Sequence, residues 1–422
     1  MKHRTLGLVI AATLSNVLIV SSAHAANYYV RAGATGSNNG SDWSNAWSKT
    51  SSINYSALRA GDTVFIAAGT YGAMNITQSG AQGQPITFKR ATAGDHGIST
   101  GWTSTLDGRI IIDGGGALAA IGIGEGGSYT AQSNITIDGV TRYGILLRNA
   151  MYGIRAGRGL SNNLTFRYLE IGDAGSYKMG EDGIQGYGDN LVVENSYIHD
   201  NDNITTHGDG VQWYQGKNVT FRYNVFSNNG QMFMLTETAW GNQYVNDLYI
   251  YYNVFRNRGG GHYNGISKKL CPQSGYGWYI YNNTFDLEAP STGYEDEVFS
   301  GAGSCTAMKF VNNAVIYSRT ASIGNVSHSY NAYDNSGAFA DIGIPSETGR
   351  ITAADLGFVD VNSANYRLTE SSPLIGKGSS LGLTRDFDGA PVASAPAIGA
   401  FEAPNGAAAP LVQPPTGLRV LP

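Results

Sequence analysis

Seven short segments of this chain align with one another, and a repeat of that kind constrains the fold more than any single motif does. They read NITIDGV from Asn134, NLTFRYLEI from Asn163, NLVVENSYI from Asn190, NVTFRYNVF from Asn218, DLYIYYNVF from Asp247, GWYIYNNTF from Gly277 and AMKFVNNAV from Ala307. Their starts lie 29, 27, 28, 29, 30 and 30 residues apart. Each opens with apolar and polar residues in alternation, as in Val219-Thr220-Phe221-Arg222, the period of a strand with one buried face. The seventh position reads Leu169, Ser196, Asn224, Asn253, Asn283 and Asn313. Asparagine at one place in successive coils predicts a stack of side-chain amides bonded along the coil axis.

A period near 30 with short strands suits a coil of three strands and is too long for hexapeptide solenoids. Composition agrees: 57 Gly, 26 Tyr and only 14% charged residues favour short strands and tight turns over helices. The expected fold class is therefore all-β, a right-handed parallel β-helix with about 30 residues and three short strands per coil.

On these segments the chain resembles the right-handed β-helix proteins of the pectate-lyase type, over Asn27 to Glu402. The stretch from Tyr28-Tyr29-Val30 through Ala60-Gly61-Asp62-Thr63-Val64 to Ala68-Gly69-Thr70-Tyr71 is similar to the first coil of the polysaccharide lyases and related carbohydrate-active members. Asp386-Phe387-Asp388-Gly389 through Ile398-Gly399-Ala400-Phe401 resembles their closing segment, expected to cover the last core layer. The resemblance implies a secreted protein acting on a polysaccharide.

The ends of the chain fit that setting. Lys2, His3 and Arg4, then an apolar run from Leu6 to Val20 and Ala23-His24-Ala25, have the layout of a secretory signal peptide over residues 1–25. A single β-helix domain is expected over 26–403 and a flexible Ala- and Pro-rich tail over 404–422. The expected location is secreted or periplasmic, with no membrane span in the mature chain and a monomeric state. Removing Lys2 and Arg4 takes the net charge from -5 to about -7, and no basic stripe points to nucleic acid. Cys271 and Cys305, 34 residues apart, are expected to form a disulfide between adjacent coils.

Polar residues gather on one strand of each coil. Asp182-Gly183-Ile184-Gln185 is followed one coil later by Asp209-Gly210-Val211-Gln212, and later still by Asn264-Gly265-Ile266-Ser267. With Ile184, Val211 and Ile266 inward, Gln185 and Gln212 face out, as do Tyr187, Tyr214 and Lys269 two residues on. Placing Met234 in the core column brings Glu237 beside Tyr214 and Lys269. The expected groove binds sugar through Gln185, Gln212, Tyr187, Trp213, Asn264, His262, Arg256 and Arg258. Asp182 and Asp209, with Asp200 or Asp202 from the preceding loop, offer hard oxygen ligands for Ca²⁺. His207 lies beside the same column and is a candidate to orient substrate or shuttle a proton.

A β-eliminating lyase needs a base beside a uronate carboxylate, a group that neutralises that carboxylate, and an acid for the leaving oxygen. Lys268 or Lys269 is the expected base, Ca²⁺ or Arg256 and Arg258 the neutralising group, and Tyr214 or His262 the acid. Ser267-Lys268-Lys269 is similar to the Ser-x-Lys of the alginate-lyase and chondroitinase B family, whose resemblance implies the lysine as base. Here Asn264 stands where that family places an acidic metal ligand, and no arginine lies between Trp278 and Lys309. Two alternatives remain at this point: a glycoside hydrolase using Asp182 and Asp209 with Glu237 in reserve, and a non-catalytic glycan-binding surface protein. Arg167, Glu194 and Arg222 share one outward column and read as a structural charge ladder.

Overall fold

The computed structural model describes residues 25–125, 130–157, 159–172, 181–201, 208–235, 243–257, 264–268, 271–287, 296–300, 305–316, 326–334 and 346–404. Its strands stack as a parallel β-helix with three ladders running along one axis. The first ladder is an eleven-stranded parallel sheet from Asn27–Val30 to Ser327–Ser329. The second contains Leu169–Gly172, Tyr197–His199, Val225–Ser227, Val254–Asn257 and Thr284–Leu287 and continues to Ile351–Ala353. The third contains Ile184–Gly186, Asp209–Trp213, Gln231–Leu235, Asn264–Lys268 and Asp296–Ser300. In the earlier coils two long strands, Ile110–Ile123 and Ile145–Ala156, pass through both the second and third ladders.

The register of the first ladder reproduces the sequence alignment position by position. Thr136 pairs with Thr165, Thr165 with Val192, Val192 with Thr220, Thr220 with Tyr249, Tyr249 with Tyr279 and Tyr279 with Lys309. Alternation puts Phe166, Val193, Phe221, Ile250, Ile280 and Phe310 in the core, all fully buried. There like stacks on like: Phe226 on Phe255 at 5.2 Å and Phe255 on Phe285 at 4.7 Å between ring centres.

The bend from the first ladder into the second is made by one residue in the left-handed region, followed by the asparagine position. Tyr168, Asn195, Tyr223, Tyr252, Asn282 and Asn312 have φ between 50° and 60°. The next residue closes the turn by bonding to the coil above. The Oδ1 of Asn253 accepts the Asn224 backbone N–H at 2.9 Å, and the Asn253 Nδ2 donates to the Phe221 carbonyl at 2.9 Å. Asn283 and Asn313 repeat these bonds, so the corner's backbone groups are satisfied without water. The stack extends further than the sequence repeat suggested, through Asn331 to the Glu347 carboxylate. Cys271 and Cys305 form the expected disulfide between adjacent coils.

The closing segment departs from its expected place. Instead of only covering the last coil, residues 356–401 run back along the side of the helix as a strap. Leu356, Tyr366, Leu368, Leu374, Ile398 and Phe401 form a separate cluster with Val254, Ala314, Ile316 and Ala332. The reason lies in the second ladder, whose outward column reads Val225, Val254, Thr284, Ala314 and Ala332, a small and mostly apolar face that requires cover. The Ala400 N–H donates to Thr284 Oγ1 at 3.0 Å and the Arg142 Nη2 to the Phe387 carbonyl at 2.9 Å. Among the described residues no helix is long and apolar enough to cross a membrane.

Candidate functional site

The outward column of the third ladder starts one coil earlier than the sequence reading placed it, and its Arg155, Gln185 and Gln212 are buried. Arg155, Gln185, Gln212, Met234 and Ser267 occupy one register position in five successive strands, about 4.8 Å apart. Arg155 was missed, although Gly153-Ile154-Arg155 repeats the pattern of Gly183-Ile184-Gln185 and Gly210-Val211-Gln212.

The side chains of Arg155, Gln185, Gln212 and Tyr214 form a connected network. The Arg155 Nε donates to Gln185 Oε1 at 3.1 Å, and its Nη1 donates to Glu125 Oε2 at 3.0 Å. The Gln185 Nε2 donates to Gln212 Oε1 at 2.7 Å, and the Tyr214 hydroxyl donates to the same oxygen at 2.6 Å. The Arg155 guanidinium also lies over the Tyr152 ring at 4.9 Å. Tyr187 stacks on Tyr214 at 4.8 Å; it is largely covered, whereas Tyr214 is half-buried. Burial, reinforced by the nearby Asp182 carboxyl, pushes the Tyr214 phenol far above its ordinary value. Burial raises Tyr152 to about 12. Both phenols therefore hold their protons at neutral pH.

Asp182 and Asp209 are not exposed: Asp182 lies buried against the outward column, in reach of Gln185. They have the same parity as Ile184 and Val211, so strand alternation turns them inward, and both are buried. Asp182 Oδ1 accepts the Asp209 backbone N–H at 3.0 Å and Oδ2 accepts the Gln185 Nε2 at 2.9 Å. Burial first, and the neighbouring Asp209 second, hold the Asp182 carboxyl well above the ordinary carboxylate value. Asp200 is bound instead to His199, Oδ2 to Nδ1 at 2.7 Å. Among the described residues no three Asp, Glu, His or Cys side chains gather as a metal site would need. Asp202, the remaining carboxylate of the expected Ca²⁺ set, lies outside the described residues.

Three further placements are corrected. Trp213 is fully buried; it follows Val211 by two residues and is therefore a core residue, its Nε1 donating to the Gly188 carbonyl at 3.1 Å. Gly186 stands beside it one coil earlier, where a Cβ would lie 2.5 Å from the indole. Phe233, not Met234, aligns with Val211 and Ile266, which moves the register of this strand by one residue. Phe233 wins because it completes an aromatic cluster with Phe221 and Phe226 at 4.8 and 4.7 Å. Arg256 belongs to the second ladder, in line with Ser227 and Asp286, and does not reach this face.

Lys268 aligns with Leu235 and Trp213, one position past the outward column, and Asn264 pairs with Asp296. Lys269, His207, Glu237, His262 and Arg258 lie outside the described residues. A second amide pair also escaped the sequence reading: the Asn201 Nδ2 donates to Asn229 Oδ1 at 2.8 Å, beside the glycines of the third ladder. Its signal was an asparagine closing His199-Asp200-Asn201 and Ser227-Asn228-Asn229.

No family model matches the chain, and no curated protein matches it. Solved structures similar to it include pectate lyase Pel9A, at 14% identity over 90% of this chain and 96% of that one, with a TM-score of 0.45. XylC in complex with xylose matches at 11% identity over 89% and 98%, with a TM-score of 0.47. An alginate lyase from Paenibacillus sp. str. FPU-7 matches at 13% identity over 78% and 97%, with a TM-score of 0.38.

Proposed function

We propose that this protein is a polysaccharide lyase that cleaves a uronate-containing polymer by β-elimination on the outward face of the third ladder. The observation that carries the reading is the Arg155–Gln185–Gln212–Tyr214 network, which sets a cation and a proton-holding phenol on one face, linked by amides that bond to both. Arg155 supports the negative charge that grows on the uronate carboxylate as the neighbouring carbon loses its proton. A base takes that proton, the bond to the leaving sugar oxygen breaks, and Tyr214 gives its proton to that oxygen. The new chain end is an unsaturated uronate. For the base the proposal keeps Lys269, with Lys268 and His207 as the alternatives to test.

The hydrolase alternative loses its carboxylate pair, because Asp182 and Asp209 are buried and Asp182 has committed both oxygens. No step is assigned to Ca²⁺. The test is product chemistry on a panel of polyuronates and acidic exopolysaccharides. Products with a conjugated double bond absorbing in the ultraviolet are expected. Reducing ends released without that chromophore would overturn the lyase reading.

A further inference from the structure

A second concavity lies at the opposite corner of the helix, between the bend carrying the asparagine stack and the C-terminal strap. Its volume is about 1260 Å³, more than one sugar ring needs. Both walls carry charge, and the balance can be drawn residue by residue. Of the four carboxylates in the lining, Glu194 and Asp388 are paired with arginines, and Asp360 and Asp386 accept hydrogen bonds from neutral groups. Glu194 accepts from the Arg222 Nε at 2.7 Å, and Asp388 takes Arg367 through both oxygens at 2.6 and 2.8 Å. Asp360 accepts the Ser363 hydroxyl at 2.6 Å, and Asp386 the Ala390 and Glu402 backbone N–H groups at 2.7 and 2.9 Å.

The cations are not matched in the same way. Arg142, Arg256 and Arg385 line the groove and form no ion pair among the described residues. Arg142 is spent on the Tyr223 and Phe387 carbonyls and on the Phe387 ring. Arg256 is not: its Nε is buried without a hydrogen-bond partner, and Nη2 reaches only the Asn362 carbonyl at 3.5 Å. A guanidinium N–H withheld from water and left without an acceptor is costly unless a ligand supplies one. Half-buried Tyr143 and Tyr168 stand on the coil wall, where sugar rings can lie against their faces.

We propose that this groove is a second glycan site, separate from the third-ladder face, that holds a short stretch of a carboxylated polysaccharide. The sugar carboxylates meet Arg256 and Arg385, and the rings lie against Tyr143 and Tyr168. The strap forms one wall, so the site exists only because the closing segment runs along the side of the helix. The inference stands without the lyase reading.

The experiment is calorimetric titration of the full chain, carrying Tyr214→Phe to suppress turnover, with galacturonate trimer, mannuronate trimer and maltotriose. At least one uronate trimer is expected to bind, and Arg256→Ala with Arg385→Ala to weaken one binding event by about tenfold or more. Arg256→Lys, which keeps the charge, should restore part of it, and thermal melts of the variants should match the parent. Maltotriose should bind far more weakly. The proposal is overturned if neither uronate trimer binds, if the arginine variants titrate like their parent, or if maltotriose binds as tightly as the acidic trimers. Binding lost in the arginine variants, together with no turnover of any polyuronate by the wild-type chain, would keep this site and remove the lyase.

Discussion

The asparagine stack and the Arg155–Gln185–Gln212 column are products of the same repeat, each placing one side chain per coil at a fixed register. They differ in what the repeat does with that position. At the corner the side chain is asparagine in successive coils from Asn224 to Asn331, and each amide satisfies the backbone of its neighbours. On the third ladder it changes from guanidinium to amide to amide to thioether to hydroxyl. Identity between coils marks a position solved once for folding. Variation at a position of equal geometry leaves room for chemistry, because the fold does not dictate which group stands there.

The sharpest way to break this contrast is Asn253→Leu. It strands the Asn224 N–H and the Phe221 carbonyl in a dry corner, for an expected loss of about 3 kcal/mol or more in urea unfolding. A loss below about 1 kcal/mol would show that water can replace the stack. On the other face Tyr214→Phe should leave unfolding nearly unchanged yet lower kcat on a polyuronate by about 100-fold, with little effect on KM. A rise in KM alone would make Tyr214 a binding group.

Asp182 supplies a smaller effect with a defined sign. Its carboxyl is held above its ordinary value, so the folded state retains a proton that the unfolded chain has released. Stability from this group is fully present below the ordinary carboxylate value and is lost as pH rises through the raised one. Asp182→Asn removes the titration, so the variant should gain on the wild type as pH rises from about 4 to 8. Parallel stability profiles would refute that origin. Least affected should be Arg222→Met in the charge ladder, at under about 1 kcal/mol, because the Arg222–Glu194 pair is partly exposed and screened by salt.

The sequence made the coil legible because the signal recurs: seven alignments, the amide column and the cysteine pair each test the others. Alternation was also sufficient to bury Trp213, Asp182 and Asp209, whose parity matches Ile184 and Val211. They were placed outward by chemical plausibility against the period. The strand Met232-Phe233-Met234-Leu235 is apolar throughout, so no period exists there to fix a register, and only three-dimensional packing chooses Phe233. The strap left one trace, an outward column of Val225, Val254, Ala314 and Ala332 where an exposed strand would be polar. Its route has no local code, since it is set by contacts between residues far apart in the chain.

That strap also limits how the molecule can grow. A solenoid is free to gain or lose whole turns, each bringing its own slice of interior. This one has a ruler laid along its flank, touching Arg142 near one end and bonding Asn312 near the other. Inserting one extra turn between those marks would part them by about 4.8 Å, too far for either set of bonds to survive unchanged. The number of turns is thereby a counted quantity, and descendants of this chain can lengthen cheaply only outside the interval the ruler spans.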